Sequence, residues 1–438
     1  MAYLLGVVVL VLGVLVSIGL HEIGHMVPAK RFGVRVSQYM VGFGPTLWSR
    51  TKGETEYGLK AIPLGGYVRL VGMYPTAEAV GDPPARTTFG KIAAQAREAS
   101  AQEILPGEDH RAFYRLSTPK KVVVMLGGPF MNLLIAIVLL TVVISGFGVA
   151  ASSTTLSAVS QCVIPAGADA SRECGTGDEP APGAAAGLQP GDTVIAYDGV
   201  EVTGWDQLSA LIQQTGDRTV PIVVERDGDE VATTVTPVVA ERPVYEDGVA
   251  VTEPDGSPVT HEVGFLGISP STELQTQPVS TVPGVVGNAV AQTLGVVVTL
   301  PARVADVAQS AFGSAERDES TIISVVGVGR FAGEIASADA EGFGTVERVA
   351  SMLTLLASLN IALFAFNLIP LLPLDGGHVV GALWEGARRQ IARLRRRAHP
   401  GPFDTARLVP LAYGVFVLLA GMGALLIYAD VVNPVTLG

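Results

Sequence analysis

Residues 2–25 read AYLLGVVVLVLGVLVSIGLHEIGH, a charge-free apolar run from Ala2 to Leu20 that ends on His21-Glu22-Ile23-Gly24-His25. A run of that length matches the hydrocarbon thickness of a bilayer and predicts a membrane-spanning helix. It has no basic n-region and no small-residue cleavage site, so it reads as a span and not as a leader. Comparable runs follow at about 122–146, 349–372 and 408–429. With 438 residues, a mean hydropathy of +0.42 and only 16% charged side chains, the chain is too apolar for an ordinary soluble enzyme. A fifth run, 284–302, is interrupted by Asn288, Gln292 and Thr293.

Charge sets the expected orientation. Residues 28–121 carry 14 Lys and Arg against 8 acids, and residues 372–408 carry 7 Arg against 3 acids. Residues 151–350 carry 8 Arg against 28 acids, a balance of -20 that the two basic stretches only partly offset in the formal net charge of -12. Cationic loops stay cytoplasmic, so the two basic stretches read as inside and the acidic block as outside. Cys162 and Cys174 both fall in the outside block, where a disulfide is expected.

His21 and His25, four residues apart, lie one turn apart on one helix face, where both can reach a single metal ion. Glu22 is placed to act as general base on a metal-bound water. Ionisable groups at the end of a span are costly unless they pair or bind something. Zinc wants a third protein ligand and an open position. The other histidines are His110, His261, His378 and His399. Asp375 is the outstanding carboxylate, at the inner end of the third run, where Pro370, Pro373, Gly376 and Gly377 break regular helix. His378 is an alternative ligand, with a nearby polar role preferred for it. Four crossings bring Asp375 to the depth of the histidines, and a fifth would put it on the far side. Residues 284–302 are therefore expected to be interfacial or membrane-dipping, with the acidic Glu316, Asp318 and Glu319 after them outside.

The chain resembles the site-2 protease family, specifically bacterial proteases of the regulator-of-sigma-E type. The resemblance spans nearly the whole chain. It rests on His21-Glu22-Ile23-Gly24-His25, on Gly128-Pro129-Phe130-Met131-Asn132 and on Asn367-x-x-Pro370-x-x-x-x-Asp375-Gly376. It implies one zinc ion held by His21, His25 and Asp375, with Glu22 as catalytic base and Asn367 near the substrate backbone. It also implies that the stretch 57–70, YGLKAIPLGGYVRL, is a membrane-re-entrant β-hairpin. The strand-like alternation there, broken by Pro63, Gly65 and Gly66, offers an edge at Gly65, Gly66 and Tyr67 for an unwound substrate segment.

Residues 183–270 look like a PDZ domain. GLQPGDTVIAYDG at 187–199 reads as turn, strand and turn, and 202–214 as a helix with Trp205, Leu208, Leu211 and Ile212 on its apolar side. Strands at 220–225 and 231–235 flank an Asp227-Gly228 turn.

The expected fold is a polytopic α-helical membrane protein of four transmembrane helices, with an inserted α+β PDZ-like extracytoplasmic domain and a cytoplasmic β-hairpin region. Its expected parts are a first span, 1–27, and a cytoplasmic region, 28–121, with the hairpin at about 57–74. A second span, 122–147, an outer linker, 148–182, and the PDZ-like domain, 183–270, follow. The rest is an outer or interfacial segment, 271–348, a third span, 349–378, a basic cytoplasmic loop, 379–407, and a fourth span, 408–430. Both termini are expected outside, in a bacterial inner membrane. The function implied is zinc-dependent cleavage of single-span membrane proteins, such as an anti-sigma factor already trimmed outside at a first site. A peptide ligand at the PDZ-like domain is an added partner; no nucleic acid is expected. A non-catalytic receptor would be expected to lose a ligand or the base, and a zinc transporter to carry ligands at the bilayer midplane.

Overall fold

The computed structural model describes residues 1–81, 85–164, 174–175, 177–243, 245–246, 249–250, 259–312, 322–338 and 344–434. Glu316, Asp318 and Glu319 lie outside the described residues. The chain forms two units, residues 1–147 with 277–438, and residues 148–276.

The first unit is helical. Among the described residues five stretches are long and apolar enough to cross a membrane: Ala2–Arg31, Thr118–Phe147, Val279–Gln309, Thr345–Asn367 and Thr405–Val432. Helices are the expected form for such sequences, because a bilayer offers nothing else to satisfy backbone N–H and C=O groups. Helix α1 (Ala2–Arg31) runs antiparallel to α2 (Thr118–Val142). Their backbones meet at Gly24 and Gly127, where neither residue has room for a Cβ. Beyond α2 come α3 (Val282–Phe312), α4 (Val325–Ser337), α5 (Thr345–Asn367), α6 (Asp375–Leu394) and α7 (Val409–Val432). Helix α5 lies parallel to α1, with Gly13 against Leu356 and Asn360 Nδ2 donating to Ser17 Oγ at 3.0 Å.

The segment expected to be interfacial, 284–302, is part of α3, whose length and composition suffice for a crossing. Its two ends nevertheless attach to the same end of the bundle. Gln277 N–H, just before it, donates to Ile144 O, beyond the C-terminus of α2. Val307, near its other end, packs on Leu426 and Ala429 at the C-terminal end of α7. The N-terminal end of α1 is there too: Gly6 abuts Ala332 of α4, and Gly327 of α4 abuts Asp430 of α7.

Several boundaries differ from those read in the sequence, among them the third span, 349–378, whose helix ends at Asn367 while Asp375 opens another. The hairpin is longer than 57–74: β1 (Val36–Lys52) pairs antiparallel with β2 (Thr55–Leu70), turning at Gly53. Expected residues 57–70 are only its second strand, because β1 lacks regular apolar alternation and the ribbon bends back on itself near Gly42 and Gly44, so that residues 38–41 pair with both 56–59 and 66–69 while 46–52 pair with 55–60. The expected basic loop 379–407 is helical as far as Leu394. Its apolar side chains recur at helical spacing between the arginines.

The second unit is β-rich. Strands β3 (Val149–Val159), β4 (Thr193–Tyr197), β5 (Val220–Arg226), β6 (Asp229–Val235), β7 (Val238–Pro243), β8 (Thr260–Phe265) and β9 (Ile268–Gln275) follow in order. The main sheet has the order β9-β3-β4-β5-β6, all antiparallel, and β7 pairs with β8. Strand β3 lies in the stretch expected as a linker, 148–182. Its small and hydroxyl side chains, VAASSTTLSAV, mute the strand pattern. The helix Trp205–Gln214 buries Leu208 and Ile212 against Val194, Tyr197, Val220, Ile222 and Val224. Cys162 and Cys174 are disulfide-bonded.

Candidate metal centre

His21 and His25 share the inward face of α1, and Asp375 opens α6 after the irregular stretch 368–374. Their donor atoms lie within 4.8 Å of one another. The two Nε2 atoms are 3.2 Å apart, and Asp375 Oδ2 stands 3.5 Å from that of His21 and 3.3 Å from that of His25. Among the described residues, Asp375 Oδ2 is buried and has no hydrogen-bond partner. An orphaned carboxylate oxygen facing two imidazole nitrogens is costly unless a cation completes the group.

The ring orientations fit that requirement. A carbonyl only accepts, so His25 Nδ1–H donates to Val124 O at 2.8 Å, which leaves the Nε2 lone pair free. His21 Nδ1 lies 3.1 Å from the amide nitrogen of Asn132, a fully buried residue whose Oδ1 has no partner among the described residues. The two ends of an amide have the same shape. Turned over, Asn132 accepts the Nδ1–H of His21 through Oδ1 and frees Nε2 in the same way. Gly128, one turn before Asn132 on α2, gives the rings their space: a Cβ there would collide with both imidazoles.

Glu22 is buried and faces the hairpin. Val68 N–H of β2 hydrogen-bonds to it, and Gly66 packs on Ile18 and the Glu22 side chain without room for a Cβ. Tyr39 OH donates to Gly19 O at 2.8 Å and ties the base of the hairpin to α1. Gly65 lies under the Phe43 ring, and Tyr67 stacks on Phe43 with 6.3 Å between centroids. Asn367 turns back on its own helix, donating to Leu363 O at 3.0 Å. His378 is not in the three-residue cluster; it lines a small cavity with Tyr114, Lys121, Glu385 and Thr405.

Asn132, Val124 O and Val68 N–H were not singled out as site groups in the sequence. The i, i+4 spacing of Gly128 and Asn132 was the available signal for the first. The other two are backbone groups, to which side-chain identity gives no clue.

The protein-family model for peptidase family M50 matches residues 9–399. The chain belongs to peptidase family M50. Zinc metalloprotease Rip1 of Mycobacterium tuberculosis (strain ATCC 25618 / H37Rv) is 34% identical over 450 residues, covering 100% of both chains. Its namesake in Mycolicibacterium smegmatis is 32% identical over the same span, again with full coverage of both. Metalloprotease MmpA of Caulobacter vibrioides is 26% identical over 396 residues, 89% of this chain and 88% of that one. This M50 peptidase is therefore a zinc metalloprotease with several apolar helices suited to a membrane. Two imidazoles and a carboxylate are a donor set that suits catalytic zinc, which keeps a fourth position open.

Proposed function

We propose that the protein cleaves single-span membrane proteins within the bilayer, using a zinc ion held by His21, His25 and Asp375. The observation that carries this is the convergence of those three donors on one point, with Asp375 Oδ2 otherwise unpartnered and Glu22 beside them on α1. When bound, zinc lowers the pKa of a coordinated water toward neutrality and polarises the scissile carbonyl. Glu22 takes the water's proton on its carboxylate and passes it to the leaving amine. Val68 N–H holds that carboxylate in place, and Asn132 and Val124 O hold the two imidazoles.

A helical substrate must unwind, because its carbonyls are otherwise occupied by its own hydrogen bonds. Among the described residues, 56–59 of β2 are paired with β1 on both sides but 66–70 on one side only, and Gly65, Gly66 and Tyr67 offer that outer edge to an extended segment by strand addition. Asn367 binds the substrate backbone after leaving its Leu363 contact. Helices α1, α2, α5 and α7 make four crossings, with both termini and the acidic β-rich unit outside and the metal centre toward the cytoplasm. Helix α3 lies along the outer surface, which is supported by its two attachments at one end of the bundle. The β-rich unit acts as a PDZ-like module that takes a peptide end. The substrate is of the kind of an anti-sigma factor after a first cut outside.

Glu22→Gln tests the assignment. Zinc content and cleavage of a reporter single-span protein are measured in proteoliposomes. Zinc is expected to be retained and cleavage lost; retained cleavage would sink the role of Glu22.

A further inference from the structure

Helix α6 packs on the bundle through one face, where Gly381, Ala382 and Glu385 are buried. Its other face carries Val380, Leu383, Trp384, Ala387, Ile391 and Leu394, all exposed; Trp384 is 54% and Leu394 77% accessible. At 100° per residue these six fall within an arc of about 100°, opposite the packed face. Between the packed face and the stripe, Arg389, which is ion-paired with Glu385, joins Arg393, Arg397 and His399 in lining a groove of about 660 Å3. The helix starts at the metal centre and reaches the first turns of α2 at Glu385, where Lys121 Nζ meets the carboxylate at 2.9 Å. Its second half thus emerges at the end of the bundle where α1 closes on Lys30 and Arg31.

We infer that α6 is a membrane-surface helix whose stripe enters the acyl region of the leaflet on that side and whose arginine groove holds the phosphates of anionic phospholipids. The occupant follows from two independent features. The apolar stripe is exposed on the unit that carries the apolar spans, and an interfacial tryptophan marks the boundary between tails and headgroups. The groove carries only cationic and neutral side chains, complementary to an anionic headgroup. A surface helix rooted in Asp375 would tie the position of one member of the metal cluster to the lipid around it. The inference rests on the membrane-spanning reading above.

The test uses the full-length protein in nanodiscs of phosphatidylcholine alone or mixed with phosphatidylglycerol. A polarity-sensitive fluorophore is placed on the stripe by Ala387→Cys, and on α2 by Val138→Cys. Lipids brominated in the acyl chain are expected to quench both probes. Quenching at position 138 without quenching at 387 overturns this inference and leaves the spanning reading intact; failure at both overturns the spanning reading first. For the groove, lipid retention is read by native mass spectrometry. Phosphatidylglycerol is expected to be retained over phosphatidylcholine, and Arg393→Gln with Arg397→Gln to reduce that preference on the order of tenfold to thirtyfold. Undiminished preference in the double variant overturns the headgroup site. Full displacement of phosphatidylglycerol by inorganic phosphate, with the 387 probe unquenched, overturns it in favour of a soluble anion.

Discussion

Replacing Asn132 should weaken zinc binding without touching a ligand. Its side chain is the partner of His21 Nδ1, at 3.1 Å, and it is fully buried, so water cannot take its place. In Asn132→Leu the ring nitrogen is left unsatisfied, at a cost of about 1–3 kcal/mol. Loss of the partner that fixes a metal-binding imidazole lowers metal affinity about 10- to 100-fold, which is about 1.4–2.7 kcal/mol and overlaps the first figure. Asn132→Asp separates the two amide orientations. A carboxylate can only accept, so it keeps the Nδ1–H bond if Oδ1 is the working end and loses the contact if the amide nitrogen is. The assay is competition for zinc with a chromophoric chelator, on protein in detergent. Asn360→Leu is the control: it removes another buried membrane asparagine, bonded to Ser17 Oγ, and should leave zinc affinity unchanged. Wild-type affinity in Asn132→Leu, equal weakening in Asn360→Leu, or an Asn132→Asp variant as weak as Asn132→Leu would each refute the reasoning.

Gly128→Ala should lose zinc more completely than Asn132→Leu, because the new methyl overlaps both imidazoles; metal analysis of the purified protein checks it. Asp375→Asn should lower zinc content while thermal unfolding of the β-rich unit stays unchanged. Lys121→Met leaves the buried Glu385 carboxylate with Arg389, at 2.7 Å, and Phe403 N–H as partners, so it should cost less than the about 3–5 kcal/mol of a fully stranded charge, and Lys121→Met with Arg389→Met should cost more than either alone, as read by thermal denaturation in detergent. In the β-rich unit, the hydrogen bond from Arg226 holds the Asp192 carboxyl below the usual carboxylate range. A depressed folded-state pKa gives stability that is present above the unfolded value of about 4 and fades as pH falls through the folded value. Melting curves of wild type and Arg226→Gln should therefore differ at neutral pH and converge in acid.

The helices and the three cluster residues were readable because they depend on strong local signals: long charge-free runs, an i, i+4 histidine pair and a proline- and glycine-broken segment ending at Asp375. The disulfide followed from the location of both cysteines in one acidic block. Harder to read were elements whose partners are distant in sequence. Strand β1 is specified by pairing with β2 around bulges, not by its own pattern, and β3 joins its sheet through small side chains that resemble a linker. For α3, hydropathy measures only whether a helix tolerates lipid, whereas the contacts of Gln277 and Val307 show which end of the bundle it serves. Helix α6 was obscured by its own arginines, which suggest a loop until the apolar residues between them are placed on a wheel.

The contact of Gly24 with Gly127 also has a directional consequence. Two bare backbones in contact leave no slot between α1 and α2, so that side of the metal cluster is a wall. Side chains can swing aside to admit a visitor, but a backbone seam opens only if whole helices separate. On the function proposed above, an incoming polypeptide would approach from another side, such as the one where the hairpin borders Glu22. The polarity with which a chain can be threaded past the cluster would then be set by a crossing that takes no part in the chemistry.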